Sequence, residues 1–343
     1  MKADFSHQRG TLLLWPSRRD VWRAGAKPIA KTVLQLALAI AEFEPVLLGY
    51  SPDVDPQAAG LTALKHQNIT VCPLPYDDIW ARDTAPVPVC DRLVRFNFNA
   101  WGGDEGLYAD WQNDLALPRA MADLLKKPLD ASPLTLEGGA LATDGNGTLI
   151  AVKKTICNDN RNKGLSQKEI EAELKRALAL TQIIWLDEGL ALDETGGHVD
   201  NLLAFADEQC ILLAFTEDKD SPQYQTVRAA ERTLMGATNA QGQPYEIIKV
   251  PLPRAFRRTA ADCEGLEAVR GSKSRPEDEL IQPSYLNFVF ANGAVILPTF
   301  GDPADGEVQR LFETVFPDRK IVPLPAREVV LGGGGLHCIT KNF

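Results

Sequence analysis

What this chain of 343 residues lacks narrows it first. It holds no apolar run near the roughly 18 residues that a membrane span requires. It has no excess of positive charge. Its 36 basic residues stand against 46 acidic ones, and the formal balance of −10 disfavours nucleic acid as a partner while suiting a cationic ligand. Histidine is scarce, at four residues, and HExxH, CxxC and clustered His are absent, which disfavours a zinc site. The six cysteines, at 72, 90, 157, 210, 263 and 338, come no closer than 18 residues, so they read as reduced thiols that mostly fill core space. No Pro/Ser/Gly linker or low-complexity stretch divides the chain, and one domain over residues 1–343 is expected. The opening MKADFSHQRG has an acid and a His where a signal peptide needs apolar residues. A cytoplasmic protein with no membrane contact, no metal and no cofactor is the expectation.

What is present reads as alternating helices and strands, hence an α/β chain. Ser166-Gln-Lys-Glu169 is a capping box that opens a helix with Ile170, Leu174, Ala177 and Leu178 on one face. Glu171 and Lys175 form an i,i+4 pair on its wet side. A strand, Gln182–Leu186, follows, and Val308, Leu311, Phe312 and Val315 predict a second helix over 306–316. Three β-branched runs end alike in Pro-Leu-Pro, at Pro75, Pro253 and Pro325, where a second proline stops strand pairing. With the strands ending near Glu137 and Asp187 they suggest five αβ units of about 65 residues.

Four loops carry the residues suited to chemistry. They are Asp77-Asp-Ile-Trp80-Ala-Arg-Asp83-Thr84, Leu136-Glu137-Gly-Gly, Glu194-Thr-Gly-Gly-His198-Val-Asp200-Asn201, and the closing Gly332–Cys338 run behind a strand-like Glu328–Leu331. In an extended segment His198 and Asp200 face one side, whereas His337 and Cys338 face opposite ways. A base for Cys338 therefore comes from elsewhere, with His198 the best candidate. The glycine run lacks the Lys-Ser/Thr of a phosphate loop. Taken singly, each feature has an ordinary reading: a core His bonded to Asp, a capping Asp83, a turn Glu137, a packed Trp80. Taken together they put a thiol, an imidazole and several carboxylates in one place. Carboxylates beside a thiol oppose its ionisation unless the substrate is itself a cation. Paired carboxylates grip a guanidinium, whose charge then lowers the thiol pKa and whose carbon is the electrophile. A guanidine substrate is what this set of residues requires.

At this point the chain resembles a known family, the agmatine deiminases of the guanidine-modifying (pentein) superfamily. The resemblance runs nearly end to end, through WPSRRDVWRAGAKPIAK, DDIWARDTAP, NAWGGDEGLYADW, LEGGALATDGNGTLI, NRNKGLSQKEIEAELK, DETGGHVDN, SPQYQ, SYLNFVFANGAVILPTF and GGGGLHCIT. It implies a five-bladed αβ propeller with Cys338 as nucleophile and His198 as general acid and base. It implies that Asp83 and Asp200 hold the guanidinium, Glu137 orients His198 and Trp80 walls the substrate. Glu194 becomes an acid that either supports the residues around the site or meets the substrate's far-end amine. A homo-oligomer is also implied. Gly196 and Gly335 stand where the family has Asn, Ala85 where it has Gly, and LEGGALATDG lacks the family's Ser and His. None of these departures removes a catalytic group, although several flank the substrate. The alternatives are a deiminase of peptidyl-arginine, free arginine or another small guanidine, a non-catalytic binding module, and a redox sensor built on Cys338.

Overall fold

Aliphatic and β-branched runs pair into five sheets of one design. The computed structural model describes residues 1–103 and 106–343, so Asp104 and Glu105 of the Asn99–Trp111 motif lie outside the described residues. In each unit a short strand pairs antiparallel with a central strand, and a helix leads to a third strand parallel to the centre. Val87–Val89, Arg92–Asn97 and Leu129–Thr135 make one unit. Ala142–Thr143, Thr148–Val152 and Gln182–Leu186 make the next. Leu203–Phe205, Cys210–Phe215 and Glu246–Pro251 follow, then Val289–Ala291, Ala294–Thr299 and Lys320–Pro325. The remaining unit borrows the chain's end. Thr340–Asn342 lies antiparallel to Thr11–Leu14, which runs parallel to Val46–Tyr50. Thr148–Val152 and Cys210–Phe215 are buried along their whole length, which is why they read as unbroken apolar runs rather than alternating ones.

The Pro-Leu-Pro echo marks something other than repeat position. Glu246–Pro251 and Lys320–Pro325 are third strands, but Ile69–Pro73 is an extra fourth strand laid beside Val46–Tyr50. All three lie at a sheet edge, where a residue without an N–H costs no ladder bond. Two further expectations change. Glu328–Leu331 belongs to a short helix, Arg327–Leu331, and Glu171 takes Gln167 and Trp185 as donors rather than Lys175. The Ser166 capping box forms as expected, and the later helix spans Asp305–Val315. The six cysteines are free, yet only Cys210 and Cys338 are buried, because most of the others sit on strand edges and loops.

The helix Lys27–Ala41 shows how packing is achieved. Pro28 suits its first turn, where a missing N–H leaves no bond unmade, and Ile29, Val33, Leu36, Ala37 and Ile40 form its buried face. Each large member contributes about 1.5–3 kcal/mol by leaving water. Among the described residues, no helix is long and apolar enough to cross a membrane.

Candidate active site

Loops from all five units meet beyond the carboxyl ends of the parallel strands, where open α/β sheets collect ligands. Trp80 precedes and Asp83 lies within a single helical turn, Ala81–Thr84, tied down by Arg82 N–H donating to the Cys338 carbonyl (3.1 Å). Glu137 follows Leu129–Thr135, and His198 and Asp200 lie beyond Gln182–Leu186. Asn287 comes from the long connection after Glu246–Pro251, and Cys338 closes the set. The four glycines before Cys338 are where four side chains press on the backbone: Trp22, Glu194, Trp80 and Asn287. At Gly334 a methyl group would stand 2.5 Å from the Trp80 ring and 3.1 Å from Cys338 Cβ, so only glycine lets the thiol and the indole share one wall.

The thiol is buried, and its Sγ accepts from Asn287 Nδ2 (3.2 Å) with Asp200 Oδ2 at 3.7 Å. Asn287 Oδ1 also accepts from the backbone N–H of His337 and of Cys338 (2.9 and 3.2 Å), fixing the turn that carries the thiol. Asp83 is held at both oxygens, by Gly139 N–H (2.8 Å) and Trp101 Nε1–H (2.9 Å). His198 lies 3.8 Å from Asp83 Oδ2 through Nδ1 and 3.5 Å from Glu137 Oε2 through Nε2. The other Glu137 oxygen accepts from Arg161 Nε (2.6 Å) in a fully buried pair, and Asp193 receives the His198 backbone N–H (3.0 Å). Trp80, Asp83, Trp101, Tyr108, Glu194 and Cys338 are among the walls of a cavity of about 320 Å³. A larger hollow of about 610 Å³ lies alongside but does not reach Cys338; the thiol and Asp83 border the smaller one.

Asp200 Oδ1 is buried without a hydrogen-bond partner, and His198 Nε2 and Glu137 Oε2 have only each other, as a long ion pair at 3.5 Å. Such atoms are costly to leave unpaired, which marks a site completed by a ligand. Their protonation follows from their neighbours. Burial raises the Cys338 thiol well above its usual pKa, and the Asp200 and Asp83 carboxylates raise it further. Burial would lower His198, but Asp83 and Glu137 outweigh it and lift the imidazole to about 9. Burial would raise Asp200 and Glu137, yet His337 and Arg161 respectively hold them below the ordinary carboxylate range. Asp83 is raised, by burial first, with Asp200 and Glu137 adding to it against His198. The resting site therefore contains an imidazolium, ionised Asp200 and Glu137, and a neutral thiol.

That charge state is visible in stability. A group raised from 6.5 to about 9 on folding stabilises the fold fully below pH 6.5 and loses that contribution as pH rises through about 9. The Tm of the native protein falls over this window, and His198→Gln flattens the fall. An equally steep fall in the variant would show that the imidazolium is not its source. Packing matters as much. A methyl on Gly139 would stand 2.6 Å from His198 Nδ1 and about as close to Asp83 and Asp200 (3.0 and 3.1 Å). Gly139→Ala displaces three functional groups at once, with an expected loss of about 10²-fold in kcat at little cost in Tm.

The structure brings together Cys338, His198, Asp83, Asp200, Glu137 and Trp80. The reasons differ in part from those of the sequence. Asp200 sits in a short turn of 3₁₀ helix, Val199–Asn201, and Leu336–Ile339 is a turn, so neither pair lies on a strand. His337 does face away from the cavity, bonding Asp200 Oδ2 (2.9 Å) and Asp4 Oδ2 (3.0 Å). His198 makes no hydrogen bond to Cys338 in this structure; Asn287 holds that place. Glu194 borders the cavity but is paired with Lys273 and Arg275. Asn287, Trp101, Arg161 and Asp193 went unremarked in the sequence reading. Each lies within a quoted motif, but asparagine, tryptophan and arginine carry no signal of their own until their partners are known.

A sequence profile described as Porphyromonas-type peptidyl-arginine deiminase matches residues 1–343. The agmatine deiminase of Stutzerimonas stutzeri is 41% identical over 349 residues, covering 100% of this chain and 94% of the relative. That of Pseudomonas aeruginosa is 40% identical with the same coverage. A solved structure described as agmatine deiminase of Enterococcus faecalis catalysing its reaction superposes with a TM-score of 0.94 at 32% identity, covering 100% of this chain and 94% of that one.

Proposed function

The chain belongs to the Porphyromonas-type peptidyl-arginine deiminase family and is an agmatine deiminase-type hydrolase, and from that premise we propose that it converts agmatine and water into N-carbamoylputrescine and ammonia through a covalent intermediate on Cys338. The observation that carries the proposal is the pair of buried carboxylates, Asp83 and Asp200, that keep the Cys338 thiol neutral, one of them with an oxygen left without a hydrogen-bond partner. A guanidinium supplies five N–H donors in a plane and one positive charge, which answers both the unfilled acceptor on Asp200 and the suppressed ionisation.

Asp83 and Asp200 grip the guanidinium, and its charge offsets theirs, so the thiol gives up its proton, to solvent, only as substrate binds. The thiolate attacks the guanidinium carbon. His198, charged at neutral pH, gives its proton to the departing nitrogen, and ammonia leaves with a thiouronium on Cys338. Neutral His198 then takes a proton from water, the resulting hydroxide attacks the same carbon, and the C–S bond breaks to release the urea. Glu137, anchored by Arg161, keeps the imidazole basic and oriented. Trp80 and Trp101 exclude water, and Glu194 receives the substrate's far-end ammonium.

In the same reading the five sheets are the blades of a closed propeller within one domain. The pairing of the last strand with the first sheet supports that closure. Within a cytoplasmic setting the reaction serves putrescine formation or agmatine breakdown. A homo-oligomer needing no cofactor completes the proposal. Ammonia release from the purified protein, offered agmatine, free arginine and a blocked arginyl peptide, tests it. Turnover of agmatine alone is expected. Preference for a peptide would move the substrate to peptidyl-arginine, and silence on all three would favour a binding module.

A further inference from the structure

Glu194 stands between two spaces. It borders the cavity at Cys338 and also the 610 Å³ hollow beyond Gly333–Gly335, which Lys273, Arg275 and Glu279 line. Its carboxylate is already occupied. Arg275 NH1 contacts Oε1 at 3.1 Å and Lys273 Nζ contacts Oε2 at 2.6 Å. The two cations are not equivalent. The Arg275 side chain is 3% exposed and the same nitrogen also bonds the Leu331 carbonyl (3.4 Å), so it cannot leave. The Lys273 side chain is 32% exposed, and its Nζ already contacts Glu279 Oε1 at 2.8 Å. A lysine ammonium on a flexible stem can exchange partners by a small swing, as a planar guanidinium cannot.

Resting on the agmatine reading, we propose that Lys273 is an exchangeable counter-ion of Glu194, which an ammonium-ended guanidine must displace toward Glu279. Lys273 is then a specificity residue that weakens the grip on cationic far ends. The exchange conserves charge. Glu194 trades one ammonium for another, Arg275 keeps it ionised throughout, and Lys273 keeps a carboxylate partner in Glu279. A substrate with an uncharged far end leaves Lys273 where it is and gains nothing from Glu194.

The consequence has an unusual sign: removing the lysine improves binding. Lys273→Met lowers the KM for agmatine about threefold to tenfold, the contribution of a half-buried ion pair, with kcat little changed. The KM for n-butylguanidine, which has no ammonium to exchange, moves less than twofold in the same protein. Glu279→Gln removes the lysine's second partner and raises the KM for agmatine. Tm accompanies each variant, because a merely structural lysine would lower Tm and raise KM for both substrates alike. An unchanged or raised KM for agmatine in Lys273→Met, with the native protein turning agmatine over, overturns the inference alone. A native protein that neither binds nor turns over agmatine overturns the substrate reading and this inference with it.

Discussion

Cys338→Ser lowers the rate of agmatine deimination by about 10⁴-fold or more, the scale seen when a covalent nucleophile is removed from an enzyme. The substitution is nearly isosteric, so Asn287 still bonds the side chain and the four glycines still admit the turn. What changes is acidity. A hydroxyl is far harder to ionise than a thiol, and in this pocket burial and two carboxylates already oppose an anion at that position. One guanidinium charge suffices to release a thiol proton but not a hydroxyl one. Substrate still binds, since Asp83 and Asp200 are untouched, and equilibrium dialysis of agmatine against the variant shows it. Turnover within tenfold of the native rate would exclude a covalent role for Cys338.

Asp200→Asn moves two properties of the protein in opposite directions. Turnover falls by about 10²- to 10³-fold in kcat/KM, because the guanidinium loses one of its two carboxylates in a buried site. Yet the free thiol becomes easier to ionise, since the carboxylate 3.7 Å from Sγ that opposes the thiolate is gone. Alkylation of Cys338 by iodoacetamide, a neutral probe, therefore quickens by about tenfold for each pKa unit recovered. The amide still accepts from His337, which limits any loss of structure. A general collapse of the site would slow turnover without a faster, saturable alkylation of this one cysteine. Slower or unchanged alkylation would mean that the acids do not gate the thiol.

These two effects rest on residues the sequence announced, and the reason is chemical. Cys338, His198, Asp83, Asp200 and Glu137 are titratable or nucleophilic groups, all but Asp83 in glycine-bearing loops, so their types and spacing already constrain what they can do. The helices with complete local signals were equally legible, as Ser166 with Glu169 shows. Tertiary facts were not. Nothing local tells an edge strand from a repeat position, so the Pro-Leu-Pro echo at Ile69–Pro73 does not reveal an added fourth strand. Nothing local distinguishes a short apolar helix from a strand at Glu328–Leu331. Asn287 holds the thiol across 51 residues of chain, and Trp101 reaches Asp83 from a loop 18 residues away. The pairing of Glu194 with Lys273 and Arg275 has no local signal, because those partners lie about 80 residues further on.

The account depends most on a covalent bond between Cys338 and the substrate carbon, and that bond can be weighed. Native protein mixed with excess agmatine and quenched in acid within one turnover is measured intact, then digested and mapped. A mass increase equal to agmatine less one ammonia, confined to the peptide bearing Cys338 and absent from Cys338→Ser, is the expected result. Ammonia release at the native rate with no adduct at any quench time would contradict it.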